Sequence, residues 1–217
     1  MISKATDLFK RKVLRLDRDR WNYQYTAGQW AGLAALDELS RFSVIVGYAQ
    51  HLKPGGKILE LGAGEGVLQQ RFNPAKYSLY VATDVSDVAI ANAKQFEDEK
   101  TVYEVGDINT YEPKNLFDVV IVNEAIYYGG TVQKVLDRYA RCLKPDGIFI
   151  ISINHDKGKN AIWHQQMDAA TFRRLDRTVV TTSKNTFVIT VLENVSVSDA
   201  PKTDGVVEEA LSVSYKL

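Results

Sequence analysis

From Leu36 to Leu52 the apolar positions recur at three- and four-residue spacing, which predicts a helix that "KPGG" at 53–56 ends. Beyond it the pattern shortens to that of strands. "KILEL" (57–61) reads as a buried strand bounded by glycines, "LYVATD" (79–84) as a second and "TVYEVGD" (101–107) as a third. "FDVVIVNE" (117–124) is almost continuously apolar, as a strand covered on both faces must be, and "IFIISI" (148–153) is a fifth. Helical spacing returns in "SDVAIANAKQFEDE" (86–99), which Ser86 or Asp87 can cap, and in "VQKVLDRYARCL" (132–143), which ends at "KPDG". Strands alternating with helices imply right-handed crossovers and a doubly wound, Rossmann-like α/β sheet, mostly parallel. A further helix is expected near 161–174. "TVVTTSKNTFVITVLEN" (178–194) then reads as an antiparallel hairpin on the sheet edge, and the tail from Val195 as an edge strand or a docked arm.

The expected organisation is one domain over 1–217: a lid and helix in 1–52, a cofactor-binding core in 53–194 and a tail in 195–217. With 27 basic and 27 acidic residues the chain has no global field to draw it onto nucleic acid or an anionic membrane. The longest apolar runs are strand-length, no secretory signal opens the sequence, and the single cysteine, Cys142, sits in a helical apolar pattern as a core thiol. A cytoplasmic protein is the expectation. No His/Cys/Asp/Glu group has metal-ligand spacing, so no metal is expected.

The chemistry concentrates in "ILELGAGEG" (58–66). A phosphate-binding loop needs Gly-Lys-Ser/Thr where this chain has "GEGVLQQ". A dinucleotide fingerprint needs a third glycine where Val67 stands, which weakens an oxidoreductase reading without removing it. Glu60 and Glu65 flank the loop and would repel a pyrophosphate; a ligand with a cationic centre is favoured. Asp84 closes the second strand, where a carboxylate can accept from both ribose hydroxyls. Asp107 closes the third, where it can accept from an adenine amino group, with Ile108 against the ring. Phosphate-free adenosine plus a cation describes S-adenosylmethionine.

Together "ILELGAGEG", "VATDVS", "GDI", "FDVVIVNEAIYY" and "LKPDGIFIIS" resemble, in order and spacing, the motifs of class I S-adenosylmethionine-dependent methyltransferases over residues 57–153. The resemblance implies a seven-stranded sheet whose last strand is antiparallel. It also implies Gly62, Ala63 and Gly64 beside the methionine moiety, Glu60 near its ammonium, Asp84 on the ribose, Asp107 on the adenine and Asn123 beside the transferred methyl. Val85 and Ile108 fit ring contacts and core packing equally well.

Three segments bear on the acceptor. "NEAIYYGG" (123–130) lacks the prolines of nucleobase-amine methyltransferases; Glu124 can orient an amine or take a proton, or be a satisfied carboxylate, and Tyr127 or Tyr128 can wall the pocket or donate a hydrogen bond, Tyr128 being the catalytic candidate of the two. His155 in "SINHDKGKN" stands where a general base would face the acceptor, His164 is a weaker candidate, and His51 reads as structural. "DRWNYQYTAGQW" (19–30) packs Trp21, Tyr23, Tyr25 and Trp30 into twelve residues; Tyr25 and Trp30 are expected to close over the cofactor. Upstream "KRKVLRLDRDR" is a solvated amphipathic helix first and a polyanion-binding arm second. This lead-in also loosely resembles small-molecule enzymes related to the nodulation-factor N-methyltransferases, which act on an amino sugar. The expected partner is a small polar acceptor methylated on nitrogen or oxygen, without membrane or nucleic acid, by a monomer or homodimer. Methylation of RNA or protein, and a non-catalytic subunit that binds the cofactor, are the alternatives.

Overall fold

The computed structural model describes residues 17–155 and 160–196. Two helices, α1 (Asp17–Thr26) and α2 (Leu36–Leu52), precede the sheet. Then come β1 (Gly56–Leu61), β2 (Tyr77–Asp84), α3 (Asp87–Ala93), β3 (Thr101–Val105), β4 (Phe117–Asn123), α4 (Val132–Ala140), β5 (Leu143–Asn154), α5 (Ala161–Asp168), β6 (Phe172–Thr181) and β7 (Thr186–Ser196). The strand order is β3-β2-β1-β4-β5-β7-β6, and β7 alone runs antiparallel to its neighbours. The seven-stranded sheet and its terminal hairpin are as expected; the tail beyond Ser196 lies outside the described residues, as does most of the basic segment before α1.

The sheet is buried on both faces because successive residues of each strand point to opposite sides. Ile58, Val119, Ile121, Ile148 and Ile150 pack with Phe42, Ile45 and Ala49 of α2. Their neighbours Leu59, Leu61, Val120, Val122, Phe149 and Ile151 pack with Val132, Val135, Leu136 and Tyr139 of α4. Cys142 lies in this second layer, and burial pushes its thiol up to about 11, as suits a core side chain.

Three expectations need correction. The helix beginning at Ala161 ends at Asp168 instead of running to Arg174, because Phe172 to Arg174 are drawn into β6. Phe172 stacks edge-on against Phe149 at 5.6 Å and Arg173 pairs with Glu193, so tertiary pairing overrides helical spacing. "KPDG" does not simply end a helix: the register runs Phe117↔Leu143 and then Val119↔Ile148, so these residues bulge out of β5. Helices do not fill every crossover either. The segment after β1 holds only turns and two short 3₁₀ turns, Gln69–Arg71 and Pro74–Lys76.

α1 is fastened over the carboxyl end of β2 by polar contacts. Arg18 Nε and Asn22 Nδ2 both donate to Asp87 Oδ1 (3.0 and 2.6 Å), and Ser86 Oγ, which caps α3, donates to Asn22 Oδ1 at 2.7 Å.

Candidate functional site

Crossovers leave β1 and β4 in opposite directions, which opens a crevice at the carboxyl ends of these paired strands. The glycine loop forms its floor. Gly62, Gly64 and Gly66 all have positive φ (75°, 55° and 77°), which explains a glycine at every second position. A Cβ on Gly62 would overlap that of Ala125, and one on Gly64 would lie 2.6 Å from Tyr25 Oη, so both are closely approached by protein. Gly62 N and Ala63 N donate to Thr83 O, and Gly64 N donates to Asp84 Oδ2 at 2.9 Å. No α-helix starts behind this loop, so the aligned amides that seat a phosphate are missing from it.

Above the loop lies a cavity of about 330 Å³, within the range of small-molecule sites. The structure brings to its wall every cofactor candidate: Glu60, Gly62, Ala63, Gly64, Asp84, Val85, Asp107, Ile108, Asn123, Tyr25 and Trp30. Glu124 and Tyr128 line it too. Trp21, Tyr25 and Trp30 form one end, with Trp21 edge-on to Tyr128 at 5.1 Å and 5.6 Å from Trp30. This connects α1 to the turn after β4.

His155 does not reach the cavity. β5 continues to Asn154, which lines it, so the next residue faces the other way. His155 N donates to Thr186 O (2.6 Å), and its ring lies 5.1 Å from that of His164, whose Nε2 contacts Asn154 O at 3.2 Å. His155→Ala is therefore expected to lower the turnover rate less than about tenfold, against the roughly 10²–10⁴-fold contribution of a working general base. A single-turnover assay of the variant decides this; a hundredfold loss would restore the histidine to the chemistry.

The wall is strongly acidic. It carries Glu38, Glu60, Asp84, Asp107 and Glu124 against one arginine, Arg41. Glu60 is 1% exposed and accepts from Tyr80 Oη at 2.7 Å. Burial pushes its carboxyl up to about 7, with Asp84 adding to the shift while the Tyr80 bond and Arg41 oppose it. Asp84 is 7% exposed, and burial raises it against the two amides it holds, Ser86 N (2.9 Å) and Gly64 N. Asp107 is exposed and accepts from Asn109 N at 2.8 Å.

Glu124 has φ 57°, the left-handed region that a non-glycine residue seldom occupies. Its Oε1 accepts from Ser152 Oγ (2.7 Å), and its Oε2 from Tyr127 Oη (2.7 Å) and Asn154 N (3.0 Å). Burial still raises its pKa. These three bonds hold the carboxylate against the end of β5.

Sequence reasoning missed Arg41. It is 2% exposed; Nη1 donates to Asn123 Oδ1 (2.9 Å) and Nη2 to Glu38 Oε2 (2.8 Å). Its guanidinium lies 4.5 Å from the Phe42 ring centre and 4.6 Å from that of Phe187. The available signal was an arginine inside the apolar stripe of α2, a position that a charge occupies only with partners. Asn185 and Phe187, from the β6–β7 hairpin, also line the cavity, and Asn185 Nδ2 donates to Glu38 Oε1 at 3.2 Å.

A family model described as "Methyltransferase domain" matches residues 52–196. Among curated proteins, a ubiquinone biosynthesis O-methyltransferase of Rhodopseudomonas palustris is 29% identical over 101 residues, 45% of this chain and 40% of that one. The human mitochondrial arginine-hydroxylase NDUFAF5 is 29% identical over 93 residues, 42% of this chain and 27% of that protein. The chain thus spans at most 40% of the length of these two relatives. Among solved structures, the N-methyltransferase NodS from Bradyrhizobium japonicum in complex with S-adenosyl-L-homocysteine superposes with a TM-score of 0.66 at 17% identity, covering 76% of this chain and 91% of that one.

Proposed function

Because the chain belongs to the methyltransferase domain family, we propose that it binds S-adenosylmethionine in this cavity and transfers the methyl group to nitrogen or oxygen of a small polar molecule. The class I S-adenosylmethionine-dependent fold read from the motifs is borne out by that membership and by the sheet order. One observation carries the cofactor reading: the wall sets five carboxylates against one guanidinium around a loop with no phosphate seat. Such a field favours a ligand that is cationic and phosphate-free.

The residues fit that ligand part by part. Asp84 spends one lone pair of each oxygen on backbone amides and keeps the others for ribose hydroxyls. Asp107 and Ile108 mark the adenine end. Glu60 and Arg41 give the zwitterionic amino-acid end an opposite charge for each of its own. When bound, the cofactor supplies a methyl group activated on a sulfonium. The chain's part is to orient it and keep water out, with Trp21, Tyr25 and Trp30 of the 1–52 segment as the cover over a 53–194 core. We place the reaction in the cytoplasm, where a free buried thiol such as Cys142 persists.

Titration calorimetry tests this. S-adenosylmethionine should bind and nicotinamide adenine dinucleotide should not; the reverse order overturns the reading. The affinity should also depend on pH through Glu60. Below about 7 that group is a neutral acid and offers no charge to the ligand's ammonium; above it the carboxylate does. Affinity should therefore rise with pH through 7, and Glu60→Gln should flatten the rise. Stability moves the opposite way. A carboxyl that ionises near 4.5 when unfolded and near 7 when folded makes the native state the tighter proton binder, so stability falls as pH climbs between those values. Affinity independent of pH across 7 would remove Glu60 from the ammonium.

A further inference from the structure

We infer that Tyr80 is a positioning residue for the cofactor: its hydroxyl fastens one oxygen of Glu60 and so presents the other to the ligand's ammonium group. The inference rests on the S-adenosylmethionine reading above. It adds to that reading a residue that lies behind the cavity wall and acts through a residue in it.

The register of the sheet explains the contact. Glu60 of β1 stands opposite Ala82 of β2, and Tyr80, two residues earlier in β2, points to the same face. Ala82 is small, so a side chain as long as tyrosine reaches past it, and Tyr80 Oη donates to Glu60 Oε2 at 2.7 Å. The ring has little freedom to leave. It is fully buried and stands edge-on to Phe72 at 5.3 Å and to Tyr77 at 5.6 Å. Two other buried tyrosines of the same layer are occupied elsewhere: Tyr77 Oη accepts from Gln69 Nε2 and Tyr103 Oη donates to Gln69 Oε1, at 3.0 Å each.

Among the described residues, Tyr80 is the one hydrogen-bond donor to Glu60, and it serves Oε2 alone. Oε1 is not sealed in: the enclosed polar side-chain atoms without partners are the Nε atoms of Arg41, Arg71 and Arg138. With Glu60 in the cavity wall, Oε1 is the oxygen left for a cation. The other charged and titratable groups that face Glu60 are Asp84 of β2, Arg41 of α2, Tyr103 of β3 and Tyr25 of α1. Burial pushes the Glu60 carboxyl up to about 7; the Tyr80 bond is the largest effect against that rise, ahead of Arg41, while Asp84 adds to it. Tyr80 stays a donor throughout, because burial and the neighbouring carboxylate push its own pKa well up. Without the hydroxyl, Glu60 would keep its proton to a higher pH, and its oxygens would be free to rotate away from the ligand.

Calorimetry with S-adenosylhomocysteine, which carries the same amino-acid end, tests this on the wild type, Tyr80→Phe, Glu60→Gln and the double variant. Wild-type affinity should rise with pH through about 7. In Tyr80→Phe the midpoint of that rise should move up by about one pH unit, and affinity at neutral pH should fall about tenfold. A double-mutant cycle separates this from packing: in the Glu60→Gln background, adding Tyr80→Phe should change affinity less than about twofold. An equal loss in both backgrounds, or an unmoved midpoint, means that the ring acts through packing alone and overturns the assignment. Should Tyr80→Phe fail to fold, fluorotyrosine placed at position 80 is a stronger donor of nearly the same shape and should move the midpoint down. A midpoint unmoved by it overturns the assignment equally. A wild type that binds with no dependence on pH through 7 removes Glu60, and Tyr80 with it. A wild type that binds no S-adenosyl compound at all defeats the cofactor reading itself.

Discussion

Asp84→Ala is expected to weaken S-adenosylmethionine binding by roughly 10²–10⁴-fold. Two hydrogen bonds from ribose hydroxyls to an ionised carboxylate are worth about 1.5–3 kcal/mol each, and roughly 1.4 kcal/mol is a factor of ten. The carboxylate also holds protein groups together. It receives Gly64 N from the floor of the cavity and Ser86 N from the start of α3, and Ser86 Oγ in turn holds Asn22 of α1. One side chain therefore ties together the glycine loop, α3 and, through Ser86, α1. Truncation leaves two buried amides without acceptors, at about 1–3 kcal/mol apiece, so the melting temperature should fall as well. Asp84→Asn separates the two effects. Its amide oxygen keeps one backbone partner while its amino group opposes the other, so it should recover part of the stability and little of the affinity. Calorimetry below the variants' melting temperatures reads the first effect and thermal denaturation the second. Affinity within a factor of five of the wild type for Asp84→Ala would remove the ribose contact.

What the chain order betrayed, and what it hid, divides by how local the cause is. The glycine alternation at 62, 64 and 66 answers to backbone dihedrals within five residues, and the acids at 60, 84 and 107 sit at strand ends that the apolar runs mark out; the three acids, Gly62 and Gly64 line the cavity. The aromatics that line the cavity were also legible, because Trp21, Tyr25 and Trp30 share one short segment. Parity was harder. Placing His155 towards the acceptor required knowing that β5 runs through Asn154, and a slip of one residue in a strand reverses the face. That end is fixed by pairing with β7, as in Asn154↔Phe187, and β7 lies more than thirty residues along the chain. The extension of β6 back to Phe172 has the same origin: helical spacing lost to a partner strand. Glu124 was read as a proton acceptor or a satisfied carboxylate; its left-handed backbone and three donors favour the second.

Arg41 is the residue whose role no local pattern reveals, and its removal should cost most in stability. In α2 it reads as a polar interruption of an apolar stripe, but its partner Asn123 is 82 positions away. It is the counter-charge for Glu38 and Glu124, both largely buried, and its guanidinium sits between two phenylalanine rings. Arg41→Met keeps most of the packing volume and deletes the charge. Stripping one partner from a buried ion pair typically costs about 3–5 kcal/mol, because the remaining carboxylates are left uncompensated. The loss should be smaller at low pH, where Glu124, already raised by burial, gains a proton more easily without the guanidinium beside it. Denaturant unfolding of wild type and variant at two pH values measures both effects. A triple change, Arg41→Met with Glu38→Gln and Glu124→Gln, should recover part of the loss by removing the stranded charges, while cofactor affinity stays low because the opposite charge for the ligand's carboxylate is still missing. A loss below about 1 kcal/mol for Arg41→Met would mean that water entering through the cavity already screens these groups, and that the arginine does not hold the site together.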